Sequence, residues 1–155
     1  MKLKLTNGKY TLIDKKFYDK VKNYKWRQDS LAGHVVITIG KKGHRKLLRL
    51  HRLIINVKDG ELVDHINGNV LDNRLKNLRL ANKSKNAMNR GKQRNNTSGY
   101  KGVSFNKQMN MWQAQLVANK IKRLNSFFKT KKEAAIAYNN AAIKFHKEFA
   151  RLNNI

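Results

Sequence analysis

A segment of eight residues without any apolar side chain, residues 91–98, divides this chain into two parts. A hydrophobic core gains nothing from such a segment, and its glycine and polar residues are typical of a linker. Lys92 and Arg94 could also follow a phosphate backbone, although a plain spacer fits equally well. Because only 40% of the 155 residues are apolar, we predict small cores in residues 1–94 and 98–155 rather than one large core.

The first part is predicted to be a β-rich scaffold that runs into a strand–loop–strand–helix arrangement. Leu3 and Leu5 alternate with lysines, and the Asn7-Gly8 pair favours a hairpin turn. The predicted scaffold elements are a hairpin over 1–13, a helix over 15–24 capped by Asp14, a strand over 34–39, its antiparallel partner over 45–50 and a short helix over 51–56.

A carboxylate stands beside an imidazole at Asp64-His65, in a chain with 35 basic and only 9 acidic residues. A turn, a polar loop and a second strand at 78–80 follow the pair, and no residue between 82 and 90 breaks a helix. This order of elements is expected to bring Asp64, His65 and the helical Asn86 into one small site.

These three side chains suit the hydrolysis of a phosphodiester. Asp64 offers an anionic oxygen and Asn86 a neutral carbonyl oxygen, and both suit Mg²⁺ or a similar cation. His65, with an ordinary pKa near about 6.5, can take a proton from water. An Asp-His pair by itself is more often part of a turn or a satisfied polar contact, so its surroundings decide the interpretation.

Asp64-His65, followed by Asn77 and then by Asn86, resembles the ββα-metal motif of HNH endonucleases. The upstream run His51-Arg52-Leu53-Ile54 is similar to phage and intron-associated homing endonucleases of that family. The resemblance implies that Asp64 and Asn86 hold one divalent metal. It further implies that His65 is the general base and that Asn77 braces the loop.

The resemblance also bears on the identity of the metal and on the roles of the other histidines. Many relatives have histidine where this chain has Asp64 and Asn86, and the oxygen ligands favour Mg²⁺ or Mn²⁺ over Zn²⁺. We expect His51 and Arg52 to contact DNA, with a structural or phosphate-contacting role for His51 rather than metal ligation. The remaining histidines show no partner pattern and are predicted to be surface or strand residues: His34, His44 and His146.

The second part is predicted to be a three-stranded antiparallel sheet covered on one face by a helix. Alternation in its middle strand predicts that Gln113 and Gln115 face outward. Thr130 and Glu133 have the spacing of a capping box, which begins a helix. The strands are predicted at 100–106, 111–118 and 121–128.

A series of short motifs runs through this second part: Ser98-Gly99-Tyr100-Lys101-Gly102-Val103, Trp112-Gln113-Ala114-Gln115, Phe127-Phe128, Glu133-Ala134-Ala135, Ala137-Tyr138, Ala141-Ala142 and Ala150-Arg151-Leu152-Asn153. Together they resemble an AP2 DNA-binding domain over nearly all of 98–153. The resemblance implies that the sheet enters the major groove, with contacts from Lys101, Ser104, Asn106, Gln115 and Lys122. Several of these positions are arginine in plant relatives, so the base preference does not carry over. Glutamine can pair with adenine, which adds Gln113 to the expected DNA-binding residues.

The charge of the chain indicates a nucleic-acid partner. The net charge is +26, and its basic residues are spread along the whole chain, so double-stranded DNA is expected to bind. There are no cysteines, and no apolar segment approaches the ~18 residues of a membrane span. The first residues lack the apolar run of a signal peptide, which favours a cytoplasmic protein of a bacterial or phage-infected cell.

Together the patterns predict an α+β protein that is a metal-dependent DNA endonuclease of the HNH homing type, with a site preference read by the AP2-like domain. One catalytic site per chain implies a monomer that nicks one strand, whereas a double-strand break requires a dimer or a second event. The second hypothesis is a DNA-binding regulator with an inert nuclease motif. An RNA-binding structural protein ranks third, because A-form RNA hides its major groove.

Overall fold

A computed structural model describes residues 1–58 and 60–155 and shows an α+β chain with several small sheets. The chain divides into two compact units, Met1–Asn82 and Lys83–Ile155. The sequence predicts the division at the polar segment 91–98, whereas the structure assigns that segment, and the helix before it, to the second unit.

Small antiparallel sheets and short helices make up the first unit. One sheet pairs β1 (Lys2–Lys4) with β2 (Tyr10–Leu12), another holds β3 (Arg27–Gln28), β4 (Val35–Ile39) and β5 (Lys46–Arg49) in that order, and another pairs β6 (Leu62–His65) with β7 (Leu78–Ala81). The helices are α1 (Tyr18–Val21) and α2 (Leu50–Ile55), with 3-10 turns at Lys15–Phe17 and Leu75–Asn77.

Most of the elements predicted for this unit are confirmed, namely the β1–β2 hairpin, the β4–β5 pair and α2. The helix predicted over 15–24 is wrong in length, since only a 3-10 turn and the single turn of α1 form. The Asp14 side chain caps no helix and instead accepts a hydrogen bond from the Leu75 backbone N–H at 2.7 Å. The residue that was expected to cap a helix therefore binds the β6–β7 loop instead.

Trp26 lies in the centre of the core of the first unit, among buried leucine, isoleucine and valine side chains. Its indole N–H donates to the Val21 carbonyl oxygen at 2.9 Å, which anchors the end of α1. Backbone hydrogen bonds also join β2 to the β6–β7 loop, from Leu12 N–H to the Leu71 oxygen and from Asn73 N–H to the Leu12 oxygen, both at 2.8 Å. The amino-terminal hairpin thus holds the loop that follows Asp64 and His65.

The second unit has the predicted sheet and helix. It contains α3 (Lys83–Asn89), strands β8 (Val103–Asn106), β9 (Met111–Ala118) and β10 (Ile121–Phe128), and α4 (Lys131–His146), followed by a 3-10 turn at Lys147–Phe149. The strands are antiparallel in the order β10–β9–β8, and α4 packs on the sheet. The capping box is confirmed, because Thr130 Oγ1 accepts from Glu133 N–H and Glu133 Oε2 accepts from Thr130 N–H.

Helix α3 belongs to the second unit because its partners lie downstream in the chain. The Lys85 ammonium is 5.1 Å from the centroid of the Phe149 ring, and the Lys101 ammonium donates to the Met88 carbonyl oxygen. None of the helices that the structure describes is long and apolar enough to cross a membrane.

Gly102 and Gly99 offer a test of the packing between sheet and helix. Both have positive φ, +72° and +85°, but a Cβ at Gly102 would lie 2.2 Å from the Tyr138 ring, whereas one at Gly99 would meet nothing within 4 Å. We expect Gly99→Ala to cost about 1–2 kcal/mol from backbone strain. Gly102→Ala should cost about 1–3 kcal/mol more because of the clash.

Urea unfolding of both variants measures the difference, and Gly99→Ala serves as the matched control. Equal losses of unfolding free energy would contradict the close approach of the Tyr138 ring to Gly102.

Candidate active site

Asp64 and His65 are neighbours on β6, and their side chains have different partners because successive residues of a strand point to opposite faces. Arg79 stands directly opposite Asp64 in the β6–β7 register. Its Nε and Nη2 donate to Asp64 Oδ2 at 2.9 and 2.7 Å. The Asp64 carboxylate is buried, so this ion pair supplies a counter-charge that a buried carboxylate requires.

His65 is also buried, and its Nε2 lies 3.2 Å from Asn73 Oδ1. The orientation of the Asn73 amide follows from its other hydrogen bonds, since Nδ2 donates to Thr11 Oγ1 at 2.8 Å and to the Val70 oxygen at 3.2 Å. The Thr11 hydroxyl donates to the Leu71 oxygen at 2.7 Å, so it can only accept from Asn73.

This chain of hydrogen bonds fixes the protonation of the imidazole. Because Asn73 Oδ1 is an acceptor, His65 Nε2 must carry the proton and Nδ1 must be the unprotonated nitrogen of the neutral ring. Burial lowers the pKa of His65, which keeps the ring neutral near pH 7. Such an imidazole can accept a proton at Nδ1.

Asn77 ties the two sides of the β6–β7 loop together. Its Oδ1 accepts from Asn67 N–H at 3.0 Å, and its Nδ2 donates to the Asp72 carbonyl oxygen at 2.8 Å. Arg74 pairs with the Asp72 carboxylate through Nε at 2.8 Å and Nη2 at 2.7 Å, and this pair lowers the pKa of Asp72. These contacts have the geometry that a bracing role for Asn77 requires.

Three histidine rings pack together in the first unit. His34 precedes β4, His51 lies on α2, and His65 ends β6. The ring centroids are 4.9 Å apart for His34 and His51, 5.7 Å for His34 and His65, and 5.2 Å for His51 and His65. Burial is the main cause of a lowered pKa at all three, and it lowers the pKa of His51 to about 3. All three rings are therefore neutral near pH 7.

The sequence interpretation missed His34 as a member of this group, although a signal for it was present. In the β4–β5 hairpin Val36 pairs with Arg49, and continuing the antiparallel register by two residues places His34 opposite His51. The predicted partner strand 45–50 ended one residue before His51 and carried no register, so the prediction did not include this contact.

The other predicted site residues of the first unit and of α3 differ in how far they are exposed and in what they contact. His51 is buried, and the Arg52 guanidinium donates to the backbone oxygens of Glu61 and Lys58. Asn86 is half-buried on α3 in the second unit.

Polar side chains line one face of the sheet in the second unit. Register pairs Ser104 with Gln113, and Gln115 with Asn125. Both glutamines donate to Asn125 Oδ1, Gln113 at 2.8 Å and Gln115 at 3.3 Å. We call this set the outer face. Alternation along β8 and β9, together with pairing across a bulge between Lys122 and Leu124 of β10, assigns to it Ser104, Asn106, Gln113, Gln115, Lys122 and Asn125.

Lys101 differs from the other predicted DNA contacts. Its ammonium donates to the Met88 oxygen, and burial lowers its pKa to about 8. Asn125, by contrast, was not predicted. A bulge between Lys122 and Leu124 shifts the register of β10 by one residue and places Asn125, rather than Leu124, opposite Gln115.

Known proteins match the part of the chain that carries this site. A family model for an HNH endonuclease matches residues 49–88, which include Asp64, His65, Asn77 and Asn86. An uncharacterized HNH endonuclease of Acanthamoeba polyphaga mimivirus is 30% identical over 154 residues, which cover 96% of this chain and 76% of the relative. The chain belongs to the HNH endonuclease family.

This HNH chain is also similar to Protein 3.8 of Escherichia phage T7, with 42% identity over 62 residues. That match covers 40% of the chain and 51% of the relative, so it spans about half of the phage protein. No solved structure matches the chain significantly.

The hydrogen bond between His65 and Asn73 can be tested by nitrogen-15 NMR of the imidazole ring. We expect the His65 Nε2 proton to be visible and to exchange slowly, because Asn73 Oδ1 accepts it. Asn73→Ala should lose this signal, whereas Asn73→Asp, which keeps a carboxylate oxygen acceptor, should retain it. A slowly exchanging Nε2 signal that persists in Asn73→Ala would contradict the hydrogen bond to Asn73 Oδ1.

Proposed function

We propose that this HNH chain is a metal-dependent DNA endonuclease of the homing type, which hydrolyses a phosphodiester at a preferred site. The observation that carries the proposal is the fixed tautomer of His65, immediately beside the Asp64 carboxylate on β6. A buried neutral imidazole held by Asn73 is a general base prepared to act near pH 7.

In the proposed reaction, His65 Nδ1 takes a proton from water, and the resulting hydroxide attacks the scissile phosphorus. The bond from phosphorus to the 3′ oxygen breaks, and the phosphate remains on the 5′ side. This polarity is implied by the HNH family. Asn73 and Thr11 act as positioning residues, because they keep Nε2 protonated and the ring in place.

Asp64 and Asn86 are the proposed ligands of a divalent cation, Mg²⁺ or Mn²⁺. Their carboxylate and amide oxygens are the donors that these hard cations prefer. Asp64 belongs to the first unit and Asn86 to α3 of the second, so their pairing rests on the order of residues in the motif. When bound, the cation supplies stabilisation of the charge on the departing oxygen.

The outer face of the β8–β9–β10 sheet is the proposed DNA reader, in keeping with the AP2-like sequence motifs. Glutamine and asparagine amides can pair with the edge of adenine in the major groove, and Lys122 can contact guanine or phosphate. The mutual hydrogen bonds of Gln113, Gln115 and Asn125 hold these amides in order before DNA binds.

The proposed partner and the proposed cellular location rest on the net charge and on the similar proteins. A net charge of +26 favours double-stranded DNA, and one site per chain favours a monomer that nicks, with a dimer needed for a double-strand break. Relatives from a phage and a virus support action in the cytoplasm of an infected cell.

One observation favours the alternative of a DNA-binding regulator with an inert nuclease motif. Arg79 already neutralises Asp64, and this pair would have to admit a cation for the metal site to form. Incubating a supercoiled plasmid with Mg²⁺ or with EDTA separates the two functions, because only the nuclease converts the plasmid to the nicked form in the presence of Mg²⁺.

His65→Ala should reduce the nicking rate by ~10²–10⁴-fold, the usual contribution of a general base. His44→Ala is the matched control, because His44 is an exposed histidine of the same unit and its loss should leave nicking at the wild-type rate. Both variants should bind a duplex as the wild type does. Wild-type nicking by a folded His65→Ala protein would remove His65 from the mechanism.

Gln115→Ala should reduce the preference for the cognate duplex, once that duplex has been selected from a random library. A good base contact contributes ~1–3 kcal/mol, so the ratio of cognate to unrelated affinity should fall by about 5- to 150-fold. Lys122→Ala should instead weaken binding to both duplexes and reduce the salt dependence, if its contact is to phosphate. Equal weakening of both duplexes by Gln115→Ala would show that specificity is read elsewhere.

A further inference from the structure

We infer that His34, His51 and His65 form a second cation site, which takes an imidazole-preferring divalent ion such as Zn²⁺ and withholds His65 from water. One ring nitrogen from each residue lies within 4.8 Å of the corresponding nitrogens of the other two. A tetrahedral zinc ion with bonds of about 2.0–2.1 Å needs nitrogens about 3.3–3.4 Å apart. Binding would therefore require the ring nitrogens to move closer together than their present limit of 4.8 Å.

Two ring nitrogens of this group have unmet hydrogen-bonding capacity. Nδ1 of His34 and Nδ1 of His51 are buried and have no hydrogen-bond partner among residues 1–58 and 60–155. His51 is only 4% exposed, so water gives this nitrogen little compensation. Buried polar atoms are nearly always satisfied in folded proteins, and a bound ion would satisfy both of these nitrogens at once.

The chemistry of the group selects the ion. Three imidazoles suit Zn²⁺, Co²⁺ or Cu²⁺ much better than Mg²⁺, which prefers oxygen. Arg49 and Arg52 lower the pKa of His51, whereas Asp64 and Asp72 raise that of His65 against the larger effect of burial. Mg²⁺ would therefore bind the oxygen ligands and Zn²⁺ the imidazoles, although the two sets of ligands include adjacent residues of the chain, Asp64 and His65.

A cation bound by the three histidines would inhibit the proposed nuclease. This step alone rests on the proposed function. A metal-bound imidazole nitrogen cannot accept a proton from water. Zn²⁺ should therefore inhibit nicking that is supported by Mg²⁺, with an inhibition midpoint that follows its affinity for the three histidines.

Binding is tested without any activity, by titrating the full metal-free chain with Co²⁺ and following its visible absorption, then displacing Co²⁺ with Zn²⁺. We expect one equivalent of Co²⁺ to bind the wild type with the visible absorption of imidazole ligation. His34→Gln removes a half-buried ligand and should lower the affinity about tenfold or more. His44→Gln is the matched control and should bind as the wild type does. His51→Gln provides a second variant should the first fail to fold by circular dichroism.

Absence of Co²⁺ binding by the wild type, or wild-type affinity in folded His34→Gln and His51→Gln, would overturn the site. The failures remain distinguishable: a chain that binds Co²⁺ through these histidines but never nicks with Mg²⁺ has the site without the proposed nuclease. A chain that nicks with Mg²⁺ and binds no Co²⁺ has the nuclease without the site.

Discussion

The hydrogen bonds of the Asn73 side chain connect the scaffold to His65. Asn73 is completely buried, and its amide is held by Thr11 of β2 on one side and faces His65 of β6 on the other. A buried amide cannot rotate without leaving polar atoms unsatisfied, which costs about 1–3 kcal/mol. The amino-terminal hairpin therefore does more than cover the core, because through Thr11 and Asn73 it decides which nitrogen of His65 is protonated.

Burial of charge shapes the same region in a second way. Asp64 would be costly to bury alone, and Arg79 compensates for it across the β6–β7 pair. The three neutral histidines lie close by, and within the described part of the chain two of their ring nitrogens make no compensating hydrogen bond. Oxygen donors and imidazole donors thus stand at adjacent positions of β6, and the hardness of a cation would decide between them.

In the second unit, the sheet holds several side-chain amides in a fixed pattern on its outer face. Small residues of α4, such as Ala134 and Ala142, are buried in this unit, which lets the helix lie close to the sheet and leaves the outer face to Gln113, Gln115 and Asn125. Lys101 lies instead against Met88 and the Tyr138 ring, so basic residues of this unit do not all serve the same surface.

Alternation and turn residues are local signals, so the sequence alone was enough to predict the strands: β4, β5, β9 and β10 lie at or near their predicted positions. The motif also determined the HNH family. Only the tertiary structure decided that Asp14 binds Leu75, that His34 joins His51 and His65, and that α3 belongs to the second unit. These features depend on contacts between residues far apart in the chain. A side chain such as that of Asp14 suits a helix cap and a distant backbone N–H equally, and packing selects between them.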